Sequence, residues 1–214
     1  MGEDESVISD DQLLVRARDD PAALIALYRR YYDKIFRHCV HRFLDRWVAE
    51  DVTSTVFMKV VEKLPALVTR GGNFRSWLYC VANNAINDHL RRTRRRMSKE
   101  SAAGEQASLR RKDSPVDGRA GLRDDRAALL RQAIVKLNER QQAIITMRYF
   151  DGMRLTDVAE ILGSSPATVR SQLSRALVSL QKWLTRRSRA GNSEVYSDVQ
   201  QQPTTGRSTG RSEV

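Results

Sequence analysis

The chain is short of the residues that staple, break or export a polypeptide. Two cysteines, Cys39 and Cys80, in 214 residues cannot build a disulfide framework or a zinc finger. No run of about 18 apolar residues occurs, which excludes a transmembrane helix. Glycine (11) and proline (5) are sparse, and no period-two alternation marks a strand. The start, Met1 to Asp11, carries Glu3, Asp4, Glu5, Asp10 and Asp11. It lacks the basic and apolar stretches of a secretory signal, so a cytoplasmic protein is expected. There is no glycine-rich phosphate loop and no nucleophile motif, so neither an enzyme nor a cofactor is expected. His38, Cys39 and His41 lie close together, but Cys39 and His41 are two apart and point to different helix faces. No metal site is expected there.

Basic charge is in excess. Lys and Arg number 37 against 26 Asp and Glu, a formal charge of +11, and the usual partner for such charge is a phosphate backbone. Hydrophobic residues make up 41%, enough for cores of modest size in one or two domains.

The periodic segments are helical. Ser9 with Gln12 forms a capping box before Leu13, Leu14 and Ala17. Asp20-Pro21 supplies an N-cap and a first helical residue for a helix to about Leu44, with Leu24, Leu27, Tyr28, Tyr31, Ile35 and Phe36 on one face. Asp45 caps the next helix, where Val48, Val52, Val56, Val60 and Leu64 repeat every four residues. Pro65 and Gly71-Gly72 predict a loop. Asn73 restarts a helix whose apolar face, from Phe74 and Trp77, stops at Leu90. Arg91, Arg92, Arg94, Arg95 and Arg96 follow. Residues 98–122 lack an apolar period and read as a linker. Helical pattern resumes near Asp124 with Leu129, Leu130, Ile134 and Leu137. Asn138 with Gln141 suggests a second capping box. From Ser188 the chain is polar and expected to be disordered.

Leu155 to Leu184 is the most informative stretch. Leu155, Val158, Ala159 and Leu162 form one face of a short helix that Gly163 can end in the left-handed conformation. Ser164-Ser165 gives a turn and a cap, and Pro166 opens a second helix. Its predicted inner face is Val169, Leu173, Ala176, Leu177, Leu180 and Leu184. Its outer face carries Thr168, Arg170, Ser171, Gln172 and Arg175. This is the pattern of a helix-turn-helix, whose second helix reads base edges in the major groove. Further upstream, Phe74 and Trp77 precede Asn83, Asn84, Asn87 and the arginines. Such a mixture suits unstacked bases, although both aromatics also share the apolar stripe of a core.

Taken in order, these motifs resemble an extracytoplasmic-function sigma factor. The matching residues are Leu24-Tyr28-Tyr32, Ala49-Glu50-Asp51-Val52, Val56-Phe57, Phe74-Arg75-Ser76-Trp77-Leu78 and Asn87-Asp88-His89-Leu90-Arg91-Arg92. In the last third they are Leu155 to Gly163 and Thr168 to Leu173. The resemblance covers about residues 10–97 and 123–186. It implies an all-α chain of two small helical domains: an acidic tail (1–9), region 2 (10–97), a linker (98–122), a region 4 helix-turn-helix (123–187) and a tail (188–214). The implied partners are core RNA polymerase, promoter DNA, and an anti-sigma factor or serine/threonine kinase.

The resemblance also assigns roles by position. Asp51, Ser54 and Thr55 fall on the polymerase-docking helix. Arg70, Gly71 and Asn73 fall in the loop from Pro65 to Asn73 that captures a flipped base. Asn84, Asp88, Arg91 and Arg92 fall on the helix meeting the minus-ten element. Thr168, Arg170, Ser171, Gln172 and Arg175 fall on the minus-thirty-five reader. The family's docking helix follows its acidic residue with a Gln-Glu pair, where this chain has Ser54 and Thr55. Thr55 is the candidate phosphorylation site that would restore the charge, with Ser54 and Thr53 behind it. The two promoter elements lie about 70 Å apart. Residues 98–122 reach at most about 85 Å and average about 28 Å as a coil, so the linker must be drawn out, threaded through polymerase as the family implies. The alternatives are a helix-turn-helix regulator acting without replacing the sigma subunit, and a single-strand-binding protein.

Overall fold

The structure is a computed structural model describing residues 8–70, 73–102 and 122–199. Among these, every regular element is helical. The first bundle holds α1 (Asp10–Arg16), α2 (Pro21–Phe43), α3 (Arg46–Arg70) and α4 (Phe74–Ala102).

The caps are those the sequence predicts. Ser9 and Gln12 form a reciprocal capping box on α1. Asp20 accepts the Ala22 amide with Pro21 at the first position of α2. Leu44 ends α2 in a left-handed conformation (φ 56), and Asp45 Oδ1 takes the Trp47 and Val48 amides. Asp10 ties α1 to α2, with Arg30 Nη1 at 2.6 Å and the Tyr31 hydroxyl donating to its other oxygen. Ile35, Val56, Leu78, Ala82 and Ile86 are wholly buried between α2, α3 and α4. Each large apolar side chain so buried contributes about 1.5–3 kcal/mol. Phe74 is also buried and meets the Tyr31 ring edge-on at 5.4 Å, so it belongs to the core; Trp77, half-buried, packs beside it.

The loop predicted from Pro65 is not there. α3 runs through the proline to Arg70. A mid-helix proline costs about 3 kcal/mol, but stopping at Leu64 would leave Leu67, which is buried in the core, without its place. Burial overrides the local break.

The second bundle holds α5 (Leu122–Val135), α6 (Glu139–Ile145), a π-helical segment (Thr146–Phe150), α7 (Leu155–Ile161) and α8 (Pro166–Val199). Asn138 accepts the Gln141 amide to cap α6. α8 packs against α5, α6 and α7 through Val169, Leu173, Ala176 and Leu180, all buried. Leu177, predicted inward, is 42% exposed. It follows Ala176, and adjacent residues on a helix cannot both face one narrow seam.

Two helices run past their expected ends. α4 continues to Ala102 and α8 past Ser188 to Val199. Extending an existing helix adds a hydrogen bond for each residue fixed, so an apolar face can end before the helix does. Residues 103–121 of the expected linker, and 200–214 of the expected tail, lie outside the described residues. The bundles touch where α2 meets the π-helical segment and where α4 meets α7.

Candidate nucleic-acid interface

The helix-turn-helix is set by its turn. Gly163 adopts φ +54, where an L-residue is strained. Its amide bonds to the Glu160 carbonyl (3.1 Å), and the Ser164 amide reaches back to Ala159 (2.9 Å), so the last carbonyls of α7 are satisfied. Ser165 then caps α8, its Oγ accepting the Thr168 amide at 3.1 Å and lying 2.9 Å from the Thr168 hydroxyl. With this geometry Thr168, Arg170, Ser171 and Arg175 stand exposed on the first three turns of α8. Gln172 is only half exposed, with its amide oxygen buried.

On α4, Asn84, Asp88, Arg91 and Arg92 are all exposed and share one face by their spacing of four, three and one. Asp88 lies 3.7 Å from Arg91, one turn on. Arg92, Arg95, Arg96 and Lys99 extend the surface as four cations flanking a shallow groove. The adjoining, inward side carries Asn83 and Asn87, and both bond to one buried cation. Arg42 Nη1 donates to Asn83 Oδ1 at 2.9 Å and Nη2 to Asn87 Oδ1 at 3.2 Å. Burial pushes the Arg42 guanidinium down to about 10, against the Coulombic support of Glu139. These bonds lie on the side of α4 that packs inward with Leu78, Ala82 and Ile86, which leaves Asn84 and Asp88 outward. The sequence held the signal: Arg42 follows Ile35 by seven residues, a charge in register with the core stripe of α2.

Of the residues expected to capture a base, Asn73 is exposed and its side-chain oxygen takes the Ser76 amide at 3.1 Å, capping α4. Arg70 is the last residue of α3, its side chain outside the described set, and Gly71 lies outside the described residues altogether.

The α3 surface presents Asp51 and Ser54 to solvent, with Thr55 half-buried and its hydroxyl bonded to the Asp51 carbonyl at 3.0 Å. Thr53 is buried and bonds the Ala49 carbonyl, which removes it as a modification site. Sequence reasoning missed the apolar part of this face: Trp47, Met58 and Val61 are 75%, 64% and 58% exposed. Their signal was hydrophobic residues lying off the buried valine stripe. Exposed large apolar side chains along one helix face are a feature of protein contacts.

Two family models match the chain. Residues 27–96 match the family described as sigma-70 region 2, and residues 127–180 match sigma-70, region 4. The RNA polymerase sigma-H factor of Pseudomonas aeruginosa is 32% identical over 187 residues, covering 82% of this chain and 93% of that protein. BldN, an ECF RNA polymerase sigma factor of Streptomyces coelicolor, is 29% identical over 175 residues, 81% of this chain; the match spans 65% of its length. Among solved structures, CnrH in complex with the cytosolic domain of CnrY gives a TM-score of 0.61 at 18% identity, covering 83% of this chain and 99% of that one. The sigma factor RpoE from Bartonella quintana, in complex with the anti-sigma factor NepR, gives 0.57 at 22%, covering 74% and 94%. At these identities the structural likeness is one of fold. The sequence matches carry the family: the chain belongs to the sigma-70 RNA polymerase sigma factors, in their extracytoplasmic-function subfamily, whose members are transcription initiation factors and not enzymes.

Proposed function

We propose that this chain binds core RNA polymerase and directs it to promoters, reading the minus-ten element with α4 and the minus-thirty-five element with α8. The observation that carries the reading is the coexistence of two outward polar faces on separate bundles, Asn84-Asp88-Arg91-Arg92 and Thr168-Arg170-Ser171-Arg175. Major-groove helices use arginine for guanine. Extruding a base costs a few kcal/mol, which capture near Arg70, Gly71 and Asn73 and contacts from α4 would offset.

Docking on polymerase uses the exposed stripe of α3, with Trp47 at one end, Asp51 and Ser54 in the middle, and Met58 and Val61 at the other end. Thr55 is the proposed phosphorylation site of this surface. A phosphate there adds about −1.5 to −2 charges where the family has an acidic side chain, and a serine/threonine kinase is the implied partner. An anti-sigma factor would compete for the same stripe.

The test is capture of core polymerase by the purified chain, followed by transcription from DNA upstream of its own gene. Polymerase-dependent initiation is expected. Trp47→Ala with Met58→Ala is expected to weaken capture at least tenfold, about 1.4 kcal/mol. Thr55→Glu should bind polymerase better than Thr55→Ala; equal binding removes the phosphorylation proposal. Failure to bind polymerase in every form, with tight duplex binding alone, would identify a conventional helix-turn-helix regulator.

A further inference from the structure

Three asparagines lie within two turns of α4, and one is held differently from the others. Asn83 and Asn87 spend their side-chain oxygens on Arg42. Asn84, exposed on the adjoining face, instead donates from Nδ2 to the Cys80 sulfur at 3.7 Å. No described residue takes up its Oδ1. Helix geometry brings this contact about, because side chains lean toward the N-terminus and residue 84 reaches back over residue 80. Cys80 is half-buried and packs against the core, so its sulfur is a fixed partner for a side chain otherwise in solvent. One turn further on, Asp88 is also exposed, and as a carboxylate it can only accept.

We propose that this end of α4 selects unstacked bases carrying an exocyclic amine, adenine or cytosine, and that Cys80 sets the selectivity by holding the Asn84 amide in one of its two orientations. The inference rests on the minus-ten role proposed above for α4.

An asparagine amide presents an acceptor and a donor side by side, and a half-turn about its last torsion exchanges them. One orientation matches a base whose amine lies beside a ring nitrogen. Adenine offers N6 and N7 in this way, and cytosine offers the N4 amine. The reverse orientation matches guanine or thymine, whose O6 and O4 accept. A freely turning amide can serve both classes. With one N–H of Asn84 on sulfur, the oxygen is directed away from Cys80 as an acceptor, and the second N–H completes the adenine pattern. Asp88 extends the same preference, since carboxylates accept from cytosine N4. Guanine O6 or thymine O4 would meet acceptor against acceptor at both residues. The face is thus divided, with acceptors at Asn84 and Asp88 for base amines and cations from Arg91 onward for phosphates.

A thiol is a weak partner, so Cys80 acts as a positioning residue that biases base choice. The experiment is single-round transcription by the full chain with core RNA polymerase. The template is the promoter upstream of its own gene, with each of the four bases placed in turn at each minus-ten position. One position should respond to Asn84→Ala. There the wild type should favour adenine or cytosine over guanine or thymine by about tenfold, within the range of one good contact to a base. Cys80→Ala should cut that ratio to about threefold, the change expected for losing one weak hydrogen bond. Adding Asn84→Asp to Cys80→Ala should restore the ratio, because a carboxylate accepts in either orientation. Absence of that rescue would leave Cys80 a structural role only. A ratio unmoved by Cys80→Ala overturns the positioning role, and a wild-type preference for guanine or thymine overturns the acceptor assignment. If Asn84→Ala alters the profile at no position, the minus-ten role of Asn84 falls and the inference with it. Should Cys80→Ala lose its helical circular dichroism, Cys80→Val retains the packed volume and is scored by the same ratio.

Discussion

Arg42 shows how one buried charge can serve a surface it never reaches. Its guanidinium spends its donors on Asn83 and Asn87, adding to the buried Leu78, Ala82 and Ile86 in holding α4 with Asn84 and Asp88 outward. Arg42→Ala leaves the buried Asn83 oxygen unpaired, which costs about 1–3 kcal/mol, to be measured by urea unfolding of the full chain. Replacing Arg91 with alanine removes only an exposed pair with Asp88 and should change stability by less than about 1 kcal/mol. The core of the first bundle also carries protons that it holds tightly. Burial pushes the Cys39 thiol up to about 11, and burial raises the Tyr31 and Tyr79 phenols above their ordinary value. Above about pH 9 the unfolded chain releases protons from these groups that the folded chain retains. The unfolded state then binds fewer protons, and stability falls as pH rises. Unfolding midpoints in urea at pH 8, 9.5 and 11 should decrease in that order, and Cys39→Ala should flatten the slope; a flat wild-type profile would show these groups to be unperturbed.

At the scale of elements, the most exposed joint is the turn of the helix-turn-helix. Gly163 holds φ +54 with no atom within 4 Å of where a Cβ would stand, so Gly163→Ala meets backbone strain alone, about 1–2 kcal/mol. Ser165→Ala removes the cap of α8 for about 0.5–2 kcal/mol. Both should lower the melting temperature and weaken minus-thirty-five binding together, because both loosen the first turn of α8; weakened binding at unchanged stability would place the serine hydroxyl on DNA instead. These two features were legible in the sequence because they are local: a glycine after an apolar period, then a serine before a proline. So were the capping box at Ser9 and the caps at Asp20 and Asp45. Pro65 misled because Leu67 needs its place in the core, a demand visible only once α3 has neighbours. Among the site residues, the outward face of α8 followed from periodicity, whereas the four residues on α4 were implied by the family resemblance. The apolar face of α3 required knowing which of its hydrophobic residues the bundle leaves uncovered. His38 and Asp151 lie 113 positions apart yet meet at 2.7 Å, and no spacing rule joins them.

At the scale of the molecule, the question is how two small bundles reach two distant DNA sites. The chain between α4 and α5, residues 103–121, spans at most about 65 Å when fully extended. The promoter elements the family reads are about 70 Å apart, so the breadth of the bundles and an extended connection together must span the distance. Cutting residues 106–113 reduces the reach to about 37 Å, which leaves about half of the distance to the bundles themselves. The shortened chain should still capture core polymerase through α3 and bind an isolated minus-thirty-five duplex. Initiation at a promoter that needs both elements should fail. Salt separates this loss from weakened DNA contact: each phosphate neutralised contributes about −0.9 to the slope of log K against log salt. The deletion should leave the duplex slope unchanged, whereas Arg175→Ala should make it shallower by about one. If the deletion instead initiates normally, the connection has slack, and the distance between the elements must be bridged by bending the DNA.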